Sequence, residues 1–220
     1  MSSRQTTTPS LPSTSLSSSS TSLSNSSPSR LGGTTTSWVD PASLPHYPHP
    51  TPIGGTAPAY VKQLTYNTFM CYGVGDDKDS FGYRVGREVR FVEVDVIRKA
   101  ERRGRMEARV VVEVGVGKHM LNGAGMLHGG CVAYLIDNCC STPLVVLGLI
   151  QSVNGVGVTQ SMNVMFHSPA PIGTCLQIIS TSVSLGGRVM SARCELVDKD
   201  TGRIIASAVL NKMQPVLSKL

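Results

Sequence analysis

The segment Asn122-Gly123-Ala124-Gly125-Met126-Leu127-His128-Gly129-Gly130-Cys131-Val132-Ala133-Tyr134-Leu135-Ile136-Asp137 holds a loop, a helix start and an acid in close succession. Gly129 and Gly130 are poor interior helix residues but suit a first turn that another group must approach closely. The free N–H groups of such a turn would face a site. Val132, Leu135, Ile136, Cys139 and Cys140 then recur at helical spacing, which predicts a helix buried along one side. At about 100° and 1.5 Å per residue, His128 and Asp137 fall on opposite sides of that helix, roughly 13 Å apart along it. They can hardly serve one site within one chain. If both are chemical, a two-fold dimer must bring the His end of one subunit to the Asp of another.

The helix continues toward Leu147 and meets Pro143 on the way. Proline there removes the bond to the Cys139 carbonyl and costs ~3 kcal/mol in an undistorted interior, so a kink or break is expected near Ser141. Upstream, Tyr60 to Tyr72 can form a short helix leading into the domain. Glu88 to Ile97 is Val-rich with alternating charge, broken at Phe91-Val92 where a bulge would sit. Met106, Ala108, Val110, Val112, Val114 and Val116 occupy every second position, the pattern of a half-buried strand paired with its predecessor through an Arg-rich turn. Downstream, Gly157 to Phe166, Cys175 to Ser184, Val189 to Val197 and Ile204 to Lys212 are strands separated by turn compositions, Gly186-Gly187 among them. Two strands, one long helix and four strands predict an α+β arrangement with an antiparallel sheet packed on a single helix.

Residues 1 to 55 are Ser, Thr and Pro almost throughout, with no acid before Asp40. Such a segment buries too little surface to offset the entropy of ordering and is expected to be a disordered tail. Residues 56–217 then form the domain. The acid-free start with Arg4 and Arg30 fits part of a transit-peptide pattern, but Pro9, Pro12 and Pro28 would interrupt an amphipathic helix. Residues 218–220, Ser218-Lys219-Leu220, match the peroxisomal import tripeptide read by a receptor at a free C-terminus. Peroxisome is therefore the expected location, with mitochondrion or cytosol as alternatives. With no run of eighteen apolar residues, no membrane span is expected.

The net charge is +6, with its excess mainly between Arg84 and Arg105. Nucleic-acid binding would want aromatics interleaved with these basic residues, and apart from Phe91 they are missing. The Arg98-to-Gly104 turn reads as a solvated hairpin; the alternative is a patch attracting a phosphorylated ligand. Six cysteines lack Cys-x-x-Cys pairs, three of them fall on the central helix, and neighbouring Cys139 and Cys140 have no His partners at zinc spacing. Buried free thiols are expected, without a metal site.

Taken singly, His128 beside Gly-Gly reads as a loop or capping residue, Asp137 as a solvated helix acid and Thr159 as strand filler. Jointly, Asn-x5-His-Gly-Gly-x6-Asp opening a helix, followed by Gly157-Val158-Thr159-Gln160-Ser161-Met162-Asn163-Val164-Met165-Phe166-His167-Ser168-Pro169-Ala170, resembles the hotdog-fold acyl-CoA thioesterases of the phenylacetyl-CoA thioesterase and thioesterase superfamily member 2 type. The likeness covers residues 60 to 214. It implies a curved sheet wrapped around the central helix, sheets joined edge to edge in a homodimer or dimer-of-dimers tetramer, and active sites at the subunit interface. It implies that Gly129 offers its backbone N–H to the thioester carbonyl and that Asp137 of the partner chain activates or orients water. Asn122 would position the reacting groups, and His128 would fix the loop and polarise by hydrogen bonding. Thr159, where the family often has Ser, would hold the water. The substrate implied is acyl-CoA, hydrolysed without cofactor or metal. A binding-only hotdog dimer is the rival class. A hotdog dehydratase is disfavoured by the Gly-Gly pair. Pro143 and a longer Leu149-to-Gly157 loop depart from the family pattern and bear on the shape of the acyl pocket.

Overall fold

A computed structural model describes residues 40–186 and 188–214. The tail before residue 40, one position of the expected Gly186-Gly187 turn and the tripeptide 218–220 lie outside the described residues. Helix α1 (Ala59–Thr68) runs into a π-helical turn (Phe69–Val74), and a short α2 (Tyr83–Gly86) leads to the sheet. Six strands follow, β1 (Arg90–Lys99), β2 (Arg105–Gly115), β3 (Val158–Phe166), β4 (Cys175–Leu185), β5 (Val189–Asp198) and β6 (Ile204–Met213), with α3 (Gly129–Gln151) between β2 and β3. The sheet order is β1-β2-β4-β5-β6-β3, antiparallel throughout. This is the α+β arrangement the pattern predicts, with α3 packed across β2, β4, β5 and β6.

Alternation explains the sheet. In β5, Met190, Ala192, Cys194 and Leu196 are buried while Arg193 and Glu195 are exposed. The bulge expected at Phe91-Val92 is present, since the β1–β2 register shifts between Phe91 and Glu93. The Arg-rich connection closes through Arg103 in the left-handed region (φ 53°) followed by Gly104 (φ 74°). On the sheet's other face Glu113 is buried between Arg90, Lys199 and Gln177. Burial pushes its pKa up, but the hydrogen bonds from Lys199 and Gln177 and the charges of Lys199 and Arg90 outweigh it and hold the carboxyl below its usual value.

Residues 40–55, which composition assigned to the tail, are placed against the domain. Gly54 bridges to Glu93 on β1, the Tyr47 N–H donates to Asn67 Oδ1, and His49 packs edge-on against Tyr66. Each contact needs a partner far along the chain, which local composition does not reveal.

Of the kink or break expected near Ser141, the break does not occur: α3 is continuous from Gly129 to Gln151 with Pro143 inside it. The Cys139 carbonyl that Pro143 cannot serve accepts the Thr142 hydroxyl at 2.7 Å. A residue beside the proline thus supplies the missing donor, so the helix need not open to find one. Val132, Leu135, Ile136, Cys139 and Cys140 are buried as expected, and from Thr142 to Gly148 every residue is buried. That second half is covered by the loop after the helix. A Cβ on Gly155 would lie 2.1 Å from the Leu144 carbonyl oxygen, and one on Gly148 would lie 2.6 Å from the Gly155 nitrogen. Two glycines therefore let loop and helix backbones touch, which accounts for the Gly/Val composition of this connection.

By length and composition α3 is apolar enough to cross a membrane, although the sequence shows no unbroken apolar run of that length. In the fold 61% of its most apolar window is buried, which makes it the core helix of this domain. All six cysteines are free; Cys139, Cys140 and Cys194 are buried and Cys71, Cys131 and Cys175 half-buried.

Candidate active site

The site residues fall into two groups at different levels of α3. The first surrounds the helix N-terminus. His128 is the N-cap, and its Nδ1 accepts the Gly130 N–H at 2.8 Å. An acceptor nitrogen carries no proton, so the ring hydrogen sits on Nε2. The Asn122 side-chain oxygen accepts the N–H groups of Ala124 (2.9 Å) and Met126 (3.2 Å), and its backbone N–H donates to the Met126 carbonyl. Asn122 thereby ties residues 122–126 into a closed loop ahead of the helix. Gly129 opens the helix, so its N–H has no intrahelical acceptor. A Cβ there would lie 3.6 Å from the Phe166 ring, ordinary contact, so the chain's own packing does not require glycine.

The second group lies two turns further on. The Thr159 hydroxyl donates to Asp137 Oδ1 at 2.5 Å. Thr159 and Met162 are an odd number of residues apart and would face opposite sides of a regular strand. The β3–β6 register shifts between Thr159 and Ser161, and this extra residue turns Thr159 toward the helix. Asp137 and Thr159 border two cavities. One, about 260 Å³, is lined by Phe69, Val145, Val156 and Val158 together with Ser141 and Lys212. The other, about 550 Å³ and more open, runs past Tyr72, Phe81, Gly130, Ala133, Tyr134 and Met162. The Tyr134 hydroxyl donates to the Gly73 carbonyl at 2.5 Å, and burial pushes its pKa up to about 12, so it stays protonated. Asn138 donates to the Tyr134 carbonyl, and Ser141 donates to the Asp137 carbonyl at 2.5 Å.

Within one chain, therefore, Asp137 and Thr159 meet, whereas Asn122, His128 and Gly129 gather at the helix start. Because α3 is unbroken, the eight helical steps from Gly129 to Asp137 span roughly 12 Å. Sequence reading missed Ser141 and Lys212. Ser141 is four residues after Asp137, on the same helix face. Lys212 continues the inward series Ala206, Ala208, Leu210 along β6, and a lysine at the core-facing parity of a strand is the signal that could have found it. Among the described residues no group of three or more His, Cys, Asp or Glu is arranged to hold a metal ion.

A six-stranded antiparallel sheet packed on one long helix is the hotdog arrangement. The model of the thioesterase superfamily matches residues 124–205, which include His128, Gly129, Asp137 and Thr159. Human acyl-coenzyme A thioesterase 13 is 32% identical over 98 residues, 44% of this chain and 67% of that protein. Mouse acyl-coenzyme A thioesterase THEM4 is 26% identical over 113 residues, 50% of this chain and 46% of that protein. The zebra fish thioesterase superfamily member 2 structure aligns with a TM-score of 0.55 at 23% identity, covering 73% of this chain and 99% of that one, and so shares the fold. The chain belongs to the thioesterase superfamily.

Proposed function

We propose that the protein hydrolyses acyl-CoA thioesters to the free carboxylic acid and CoA, using sites shared between two subunits. The observation that carries this reading is the Asp137 carboxylate, oriented by Thr159 at the junction of a mostly apolar chamber and an open groove. The relatives named acyl-coenzyme A thioesterase support the substrate class.

Asp137 has one oxygen engaged by Thr159 and a second left to take a proton from water. The water oxygen attacks the thioester carbon, and negative charge develops on the carbonyl oxygen. That oxygen is received by the Gly129 N–H of a partner subunit, at the positive end of α3. The C–S bond then breaks, and the proton held on Asp137 passes to the departing CoA sulfur. One preorganised amide donor of this kind is worth ~2.7–4 kcal/mol, and general-base help contributes ~10²–10⁴-fold in rate. Asn122 and His128 act here by fixing the loop and the helix start that present the Gly129 amide.

The dimer follows from the same accounting of distances, because Gly129 and Asp137 of one chain are too far apart along the helix. Strand β3 is suited to the contact. It pairs with β6 on one side and with no other strand among the described residues, and it exposes Val158, Met165 and Phe166. Pairing two β3 edges about a two-fold axis would set the helices side by side.

The test is a panel of acyl-CoA substrates with the purified protein, reading free thiol and oligomeric mass together. Expected are stoichiometric release of CoA and at least a dimer. Acyl-CoA that binds without thiol release at micromolar protein would leave a binding module in place of an enzyme.

A further inference from the structure

Lys212 lies in the inward row of β6, directly opposite Thr159 in the β3–β6 register. Its Nζ donates to Ser141 Oγ at 2.9 Å, and the Ser141 hydrogen is already given to the Asp137 carbonyl. No carboxylate lies within salt-bridge distance of Nζ among the described residues, although an ammonium has three donors to satisfy. Burial pulls the Lys212 pKa below its usual value, against the opposing pull of the Asp137 charge. The same cavity holds one buried group without a hydrogen-bond partner, the hydroxyl of Thr65, which is 0% exposed. Phe69, Val145, Val156 and Val158 form apolar walls around them.

A chamber with apolar walls and a few convergent polar groups specifies a ligand with an apolar body and a polar tip. A plain alkyl chain filling it would strip water from the ammonium and return no hydrogen bond, which is costly for a charged group. An acyl group with an oxygen at its far end would restore the lost bonds and fill the same space. We propose that the chamber selects acyl groups carrying a distal oxygen acceptor, a hydroxyl or a carboxylate, held by the Lys212 ammonium. The inference rests on the acyl-CoA reading above and adds the chemistry of the acyl part.

The experiment compares hexanoyl-CoA with its ω-hydroxy and ω-carboxy counterparts, by kcat/KM on the full chain. In parallel, the Kd of each compound is measured on Asp137→Asn. Wild type is expected to prefer at least one oxygenated substrate about tenfold or more over hexanoyl-CoA. Lys212→Met keeps the length and removes the charge, and should lower that ratio about tenfold. Whichever arm gains shows whether the tip is neutral or anionic. If Lys212→Met does not fold, Lys212→Gln and the wild-type ratio decide. A wild-type ratio at or below one, or a ratio unchanged in the variants, overturns the proposal. If no thiol is released from any of the three, the hydrolase reading falls instead, and the ratio of Kd values judges the chamber.

Discussion

The Thr159 hydroxyl, on an edge strand, donates to Asp137 Oδ1 in the middle of the core helix at 2.5 Å. A β-bulge after Thr159 makes this contact possible, and the contact engages one of the two carboxylate oxygens. The pair therefore sets both the position and the remaining hydrogen-bonding capacity of the proposed base.

Asp137→Asn keeps the shape and removes the base. Turnover of acyl-CoA should fall at least about a hundredfold, the low end of general-base effects, with the dimer unchanged by light scattering. Thr159→Ser keeps the hydroxyl and should retain most activity, while Thr159→Val should lose about tenfold or more, the cost of ~1.4 kcal/mol in orientation. Near-normal turnover in Asp137→Asn would remove the carboxylate from its role.

Sharing of the site between subunits has its own signature. Asp137→Ala and Asn122→Ala should each be poorly active, the second because residues 122–126 lose the acceptor that ties the loop. Co-folded, a statistical mixture is half heterodimer, and each heterodimer has one intact site of two. Activity should recover to about a quarter of wild type if the sites act independently. Should Asn122→Ala be too mild, a bulky replacement of Gly129 supplies the second lesion. Failure to recover, with heterodimers demonstrated, would place both groups in one chain.

The proline in α3 predicts a coupled pair. Thr142→Val leaves the buried Cys139 carbonyl without its donor and should cost about 1–3 kcal/mol, seen as a loss of roughly 2–12 °C in Tm. In a Pro143→Ala background a backbone N–H is again available to that carbonyl, so the same substitution should cost much less. A double-mutant cycle by thermal unfolding measures the difference. Equal losses in both backgrounds would mean that the Thr142 hydroxyl does not support the helix.

What the sequence determined by itself was everything carried by period and spacing. Alternation from Met106 to Val116 and in the later strands marked the sheet, and the repeat from Val132 to Cys140 marked the buried helix face. The nine-residue separation of His128 and Asp137 already placed them roughly 13 Å apart along the helix, because helix rise is fixed by backbone geometry. The tertiary structure alone decided where long-range partners complete a local pattern. Composition gave residues 40–55 to the tail, yet Gly54 and His49 meet groups some forty residues away. Pro143 read as a kink or break, and the helix runs through it without a break because the Thr142 hydroxyl supplies a donor. Thr159 reached Asp137 only through an extra residue in its strand, and Lys212 became a chamber residue only when β6 lay beside β3. Periodicity reports which face of an element is buried; which side chains meet across that face depends on register, and register is fixed only when the elements pack.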